Sequence, residues 1–178
     1  MPKIIRDIKY ITKEEILQLL EVVDNPRDKL MIKLMYATFI RSNELRNIKI
    51  SDIKFDEDYI HIRAENTKTK KSRLVVIPEI LKKEILKYLR DNGIKTNYDN
   101  TQCLFQTRQS GQLTNRRIQQ LIIGYAVASG LQSIYNEAKD KRKLNAVTPH
   151  TLRHSGIIEA LNKGIPQTVV MEQSGHAS

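Results

Sequence analysis

Cysteine occurs once in these 178 residues, at Cys103, and tryptophan does not occur at all. A single thiol excludes an intrachain disulfide and argues against a thiolate metal site. Of the four histidines, only His150 and His154 form an HxxxH pair, and no third ligand lies near them, which argues against zinc. No apolar run approaches the ~20 residues needed to span a membrane, and the N-terminus has no signal-peptide pattern. Internal repeats and low-complexity linkers are absent too. The expectation is a soluble, cytoplasmic protein, with no membrane partner. Acidic residues are in deficit: 30 Lys and Arg face 20 Asp and Glu, for a net charge of +10 and a pI near 9.7. Such an excess points to a polyanionic partner, most simply nucleic acid.

What is present is enough apolar material for one well-cored domain: 40% hydrophobic residues, with Ile, Leu and Val spread throughout. Thr12-Lys13-Glu14-Glu15 has the form of a capping box, and Ile16, Leu19, Leu20 and Val23 follow at helical spacing. A second helix is predicted from Arg27 to Phe39. Ser42-Asn43-Glu44-Leu45 reads as a short helix capped by Ser or Asn.

The period then changes to two. Ile48, Ile50, Ile53 and Phe55 predict a strand leading into the acidic turn Asp56-Glu57-Asp58. Tyr59, Ile60 and Ile62 form the return strand, and Leu74 to Ile77 a third, ended by Pro78. The turn before that third strand carries Lys68, Lys70, Lys71 and Arg73. Helical spacing returns from Ile80 to Leu89, closed by Asp91-Asn92-Gly93. A loop over 94–112 follows, with a short buried segment at Cys103-Leu104-Phe105. Thr114 caps a helix to Ser129 with Ile118, Leu121, Ile122 and Val127 inward. Lys139 to Lys143 reads as a charged loop. Further helices are predicted over Thr148–Lys163 and Gln167–Gln173, and Ser174-Gly175-His176 ends the last one. The fold class expected is mainly α (α+β): a helical domain with a small three-stranded antiparallel sheet at one edge.

Thr148-Pro149 is a strong helix start, because the hydroxyl caps and Pro suits the first helical position. His150, Arg153 and His154 then fall at i, i+3 and i+4 on one face, near the positive end of the helix dipole. A permanent cation and an imidazole at such a corner suit an anion, above all a phosphate.

Four pieces in order carry more than this corner does alone: Arg41 before Ser42-Asn43-Glu44-Leu45, Lys68 in a basic turn, His150-Thr151-Leu152-Arg153, and Gly175-His176. Together they resemble the catalytic domain of the tyrosine recombinase (phage integrase) family, over about residues 10–178. The resemblance implies DNA strand cleavage and rejoining at specific sites through a 3′-phosphotyrosyl intermediate. It implies double-stranded DNA as partner, a tetrameric synapse, and neither cofactor nor metal. Arg41 and Arg153 would clamp the non-bridging oxygens of the scissile phosphate, a task for which the planar, permanently charged guanidinium fork is suited. His150 would assist proton transfer and His176 would donate to the phosphate. Lys68 would protonate the leaving 5′ oxygen. Lys70 and Lys71 share its turn; counting back from Arg73, the family pattern selects Lys68.

The sequence departs from the family at three places. Phe39-Ile40 replaces the small Gly before the first Arg, and Ser174 replaces an apolar residue before the GH dipeptide. The nucleophilic tyrosine is expected about nine residues beyond that dipeptide, and none of the seven tyrosines present sits in that context. The expectation is a single catalytic domain, 1–178, without the N-terminal core-binding domain and cut before its nucleophile. It would bind DNA yet be inactive alone. A non-catalytic DNA-binding regulator of integration or excision is the alternative. A nuclease holding Mg²⁺ at Asp56-Glu57-Asp58 is a further rival, although an acidic hairpin turn is more often solvated.

Overall fold

The computed structural model describes residues 10–97, 99–107, 111–132, 134–137, 143–145 and 147–175, with 134–137 and 143–145 described by their backbone. Thr12 caps α1 (Lys13–Glu21) through the expected box: its hydroxyl accepts from Glu15 N at 3.3 Å, and Glu15 Oε2 accepts from Thr12 N at 2.7 Å. α2 (Pro26–Thr38) starts one residue earlier than predicted. Asn25 caps it and Pro26 takes the first turn, where a missing N–H costs nothing. Leu30, Met31, Ile32, Leu34 and Met35 are all buried, so α2 is apolar around most of its circumference and forms the centre of the molecule.

α3 (Ser42–Arg46) follows after a sharp corner. The period-two run from Ile48 does not become a long strand. Ile50–Asp52 is a 3₁₀ turn, and β1 is only Ile53–Lys54. The backbone there finds partners outside the sheet: Ile50 N donates to Gln102 O, Ser51 N to Asn100 O, and Leu104 N to Ile48 O. Asp52 folds the segment further by accepting from Lys49 N at 2.9 Å and Arg63 Nε at 2.7 Å. β2 (Tyr59–Ile62) and β3 (Arg73–Val76) complete the antiparallel order β1-β2-β3, with Ile60 opposite Val75 and Ile62 opposite Arg73.

α4 (Glu79–Asp91) ends at Asn92-Gly93 as predicted. α5 (Asn115–Ala128) is capped by Thr114, but its inner stripe is Ile118, Ile122 and Ala126. Val127 is 62% exposed, against expectation. The i+4 spacing from Ile118 selects Ala126, and one further residue turns ~100° off that stripe. β4 (Ile134–Glu137) and β5 (Lys143–Asn145) pair antiparallel, a hairpin not expected from the sequence; the charged loop expected over Lys139 to Lys143 lies, but for Lys143, outside the described residues. α6 (Pro149–Asn162) and α7 (Gln167–Ser174) match their predicted spans closely.

One apolar core runs from Ile11 to Leu152, and a smaller cluster of Phe39, Ala160 and Val170 joins the end of α2 to α6 and α7. The fold class is the expected one: mainly helical, with a small three-stranded antiparallel sheet. α2 packs closely on α6, and the two backbones come together at Gly156. A Cβ built there would lie 1.9 Å from Tyr36 O, so two helix backbones touch at the one residue that permits it.

Candidate functional site

The corner between α2 and α3 sets up the site. Phe39 closes α2 in the left-handed region (φ 58), a conformation that costs a non-glycine residue about 1 kcal/mol. Burial of Phe39 against Ala160 and Val170 works against that cost. The turn sends Ile40 into the core and leaves Arg41, not Ser or Asn, as the residue capping α3. Its side chain is 31% exposed.

Glu44, three residues on, reaches back to it. Its Oε2 accepts from Arg41 N at 2.8 Å and its Oε1 from Arg41 Nη1 at 3.1 Å. The same two oxygens accept Arg73 Nη2 at 2.8 Å and Nη1 at 3.0 Å, a bidentate pair. Glu44 is buried, and desolvation alone would raise its pKa. The hydrogen bonds from Arg73 and from the Arg41 backbone, with the charges of both arginines, reverse this and hold the carboxyl below its ordinary value.

Arg153 projects into the interior rather than sharing the outer face of α6 with the histidines. His150 and His154 are about 40° apart around the helix, and Arg153 lies on the inward flank of both. It is 3% exposed. Its Nη1 donates to Phe39 O, and its Nη2 to Ser174 O at 2.9 Å. Burial, and then the positive charge of Arg41, bring its pKa down to about 10, which leaves it protonated at neutral pH. Ser174, at the position where the family pattern has an apolar residue, is fully buried, and its Oγ donates to Met171 O at 3.1 Å.

Arg41 Nη2 lies 3.4 Å from Gly175 O, next in the chain to the carbonyl that Arg153 uses. Two guanidinium groups far apart in sequence therefore meet at the Ser174-Gly175 carbonyls, where α7 ends with Gly175 left-handed (φ 68). Lys68 is exposed in the β2–β3 turn. Asn43 Nδ2 ties the base of that turn to α3 by donating to Asn66 O at 3.1 Å, and Thr67 Oγ1 bonds to Ala64 O and Lys71 O inside it. His150 is exposed in the first turn of α6, its ring nearly parallel to that of His154 at 6.4 Å between centroids. Burial, and then His150, lower the pKa of His154. His176 lies outside the described residues. A cavity of about 810 Å³ opens elsewhere, at the end of α4 and the loop after it, and none of these residues lines it.

Sequence reasoning overlooked Arg73 and the part Glu44 plays in holding it. Both had a readable signal. Glu44 sits three residues after Arg41 at a helix start, the reach-back spacing of a capping box. Period two through β3 puts Arg73 on the same face as the buried Val75 and Ile77, so it had to enter the interior. In the acidic turn, Asp58 pairs with Lys82, and among the described residues no group of three metal-ligating side chains occurs.

The family model described as "Phage integrase family" matches residues 9–178. Tyrosine recombinase XerA of Pyrococcus horikoshii is 32% identical over 181 residues, covering 99% of this chain and 56% of that protein. XerA of Pyrococcus furiosus is likewise 32% identical, over 99% of this chain and 57% of its own length. This chain thus spans just over half the length of these relatives. A crystal structure of XerA recombinase superposes with a TM-score of 0.76 at 27% identity, over 96% of this chain and 57% of that one. XerH recombinase, in a pre-cleavage complex with its difH substrate, shares the fold at a TM-score of 0.72 and 24% identity, over 96% of this chain and 48% of that one. The order of the motifs, the helical fold with its three-stranded sheet, the meeting of Arg41 with Arg153 and these matches agree: the chain belongs to the phage integrase family, the tyrosine recombinases.

Proposed function

We propose that residues 1–178 form a single catalytic domain of a site-specific DNA recombinase, which cleaves and rejoins strands through a 3′-phosphotyrosyl intermediate. Arg41 and Arg153 hold the non-bridging oxygens of the scissile phosphate, and the developing charge is met by fixed cations rather than by metal. Lys68 delivers a proton to the leaving 5′ oxygen from its exposed turn. His150 and His176 assist proton movement and donate to the phosphate. Double-stranded DNA is the substrate, bound in the cytoplasm by self-associating copies in a tetrameric synapse.

The observation that carries this reading is the approach of Arg41 and Arg153 to adjacent carbonyls at the end of α7, immediately before His176. Glu44 offsets only one of the three arginine charges at this corner, and the excess positive charge favours a further anion there. The 178 residues supply no nucleophile in this reading. Tyr125 donates its hydroxyl to Asp28 at 2.8 Å, and burial followed by that bond pushes its pKa up to about 12. Burial does the same to Tyr36, whose pKa is also about 12.

A nicked suicide duplex tests these statements. The chain should retard the duplex in a native gel and leave no covalent adduct in a denaturing one. Arg41→Ala and Arg153→Ala should each weaken the complex by about tenfold, the worth of a charge-assisted contact. An adduct would mean that one of the seven tyrosines serves as nucleophile. Retardation indifferent to both arginines would sink the phosphate reading.

A further inference from the structure

Arg73 has no part in the chemistry described so far, yet it makes three hydrogen bonds at the centre of the site. Two go to the Glu44 carboxylate, and Nε donates to Gln173 O at 3.0 Å. It is only 10% exposed, so it faces solvent far less than Arg41 does. Its guanidinium also lies beneath Gly175, where a Cβ would come within 3.0 Å of Cζ, Nε and Nη1.

The consequence is electrostatic. Glu44 is a buried carboxylate beside two arginines that could each pair with it bidentately. Arg73 takes both oxygens, leaving Arg41 a single side-chain bond at 3.1 Å and a long contact to Gly175 O. Arg41, Arg73 and Arg153 against Glu44 leave two net positive charges around the α7 terminus. Without Arg73, Glu44 would draw Arg41 into a bidentate pair, the preferred geometry of an arginine next to a carboxylate.

Resting on the reading of Arg41 and Arg153 as phosphate ligands, we propose that Arg73 is a positioning residue of the anion site: it occupies Glu44 so that Arg41 remains available, and it seats the Gly175 turn beside Arg41. It touches no reacting atom. Its position in β3, directly after the turn bearing Lys68, makes the sheet, α3 and α7 one unit around the anion.

The test is a titration of the 178-residue chain with inorganic phosphate, followed through the arginine Nε–H NMR resonances. Arg73→Met should weaken phosphate binding about tenfold, and Arg73→Lys should fall between it and wild type, since the cation stays and the fork is lost. Arg73→Met combined with Glu44→Gln should regain most of the affinity, because no carboxylate then competes for Arg41. A merely structural arginine predicts the reverse, with the double variant as weak as the single one or weaker. The proposal is overturned if Arg73→Met binds like wild type while Arg41→Ala does not, or if the double variant shows no recovery. If Arg73→Met does not fold, Arg73→Lys with and without Glu44→Gln decides on the same criterion. Phosphate binding that survives Arg41→Ala would instead overturn the underlying site reading.

Discussion

Glu44 shows how one buried side chain can organise several exposed decisions. Its carboxylate accepts four hydrogen bonds, caps the start of α3 and pairs with two arginines from different elements. Because these partners hold its pKa below the unperturbed 4.5, an unfolded chain binds its proton more readily than the folded one. The stabilisation is therefore present above about pH 4.5 and is lost as pH falls through the lower folded value. Glu44→Gln should cost roughly 3 kcal/mol near neutral pH, as expected for breaking a buried ion pair from one side. The gap to wild type should narrow as pH falls below about 4.5 and through the lower folded value, where the native carboxyl also gains its proton. Urea denaturation at those pH values measures this, and a gap that stayed constant would show that the charge is not what Glu44 contributes.

At the scale of elements, the site depends on how closely α6 can approach α2. Gly156 allows its backbone to rest against Tyr36 O, and Arg153, three residues earlier on the same helix, then reaches Phe39 O at the end of α2. The neighbour is backbone, which cannot swing aside. Gly156→Ala should destabilise by about 3 kcal/mol, the upper part of the range for overpacking. It should also lift Arg153 from its two carbonyls, so that DNA binding falls further than loss of folded protein explains. Thermal melts alongside DNA titrations of the folded fraction separate the two effects. A variant as stable as wild type would show that the helices can part at little cost. The elements themselves were largely legible beforehand, since capping residues and apolar periodicity mark α1, α2, α4, α6 and α7. The alternating run from Ile48 does not become a long strand because such a pattern reports burial, and here the partners are a loop over 100–104 rather than a strand.

For the whole molecule the governing quantity is the charge of +10 carried by a chain whose described helices include none long and apolar enough to cross a membrane. If DNA is the partner, neutralising phosphates releases counterions, and affinity must fall steeply with salt. A loss of about 100-fold or more between about 50 mM and about 200 mM salt is expected, which fluorescence anisotropy with a duplex would register. A flat response would count against the basic surface as the binding face. Net charge says nothing about where a scissile phosphate would sit; in the proposed reading that is set by Arg41, Arg153 and Arg73, which meet Glu44 and the end of α7 within the fold.

The sequence by itself determined the helical class, the small sheet and the ordered motif set from Arg41 to His176, because caps, periodicity and residue spacing are local properties. It also singled out Arg41 and Arg153 through the family pattern. Only the tertiary structure decided that Arg153 points inward, that Glu44 is shared between two arginines, and that Arg73 takes both of its oxygens. Those outcomes depend on which backbone carbonyls and charges come within about 3 Å of each other. That proximity arises when α2, α6 and α7 pack around Phe39 and Gly156, and no local pattern encodes it.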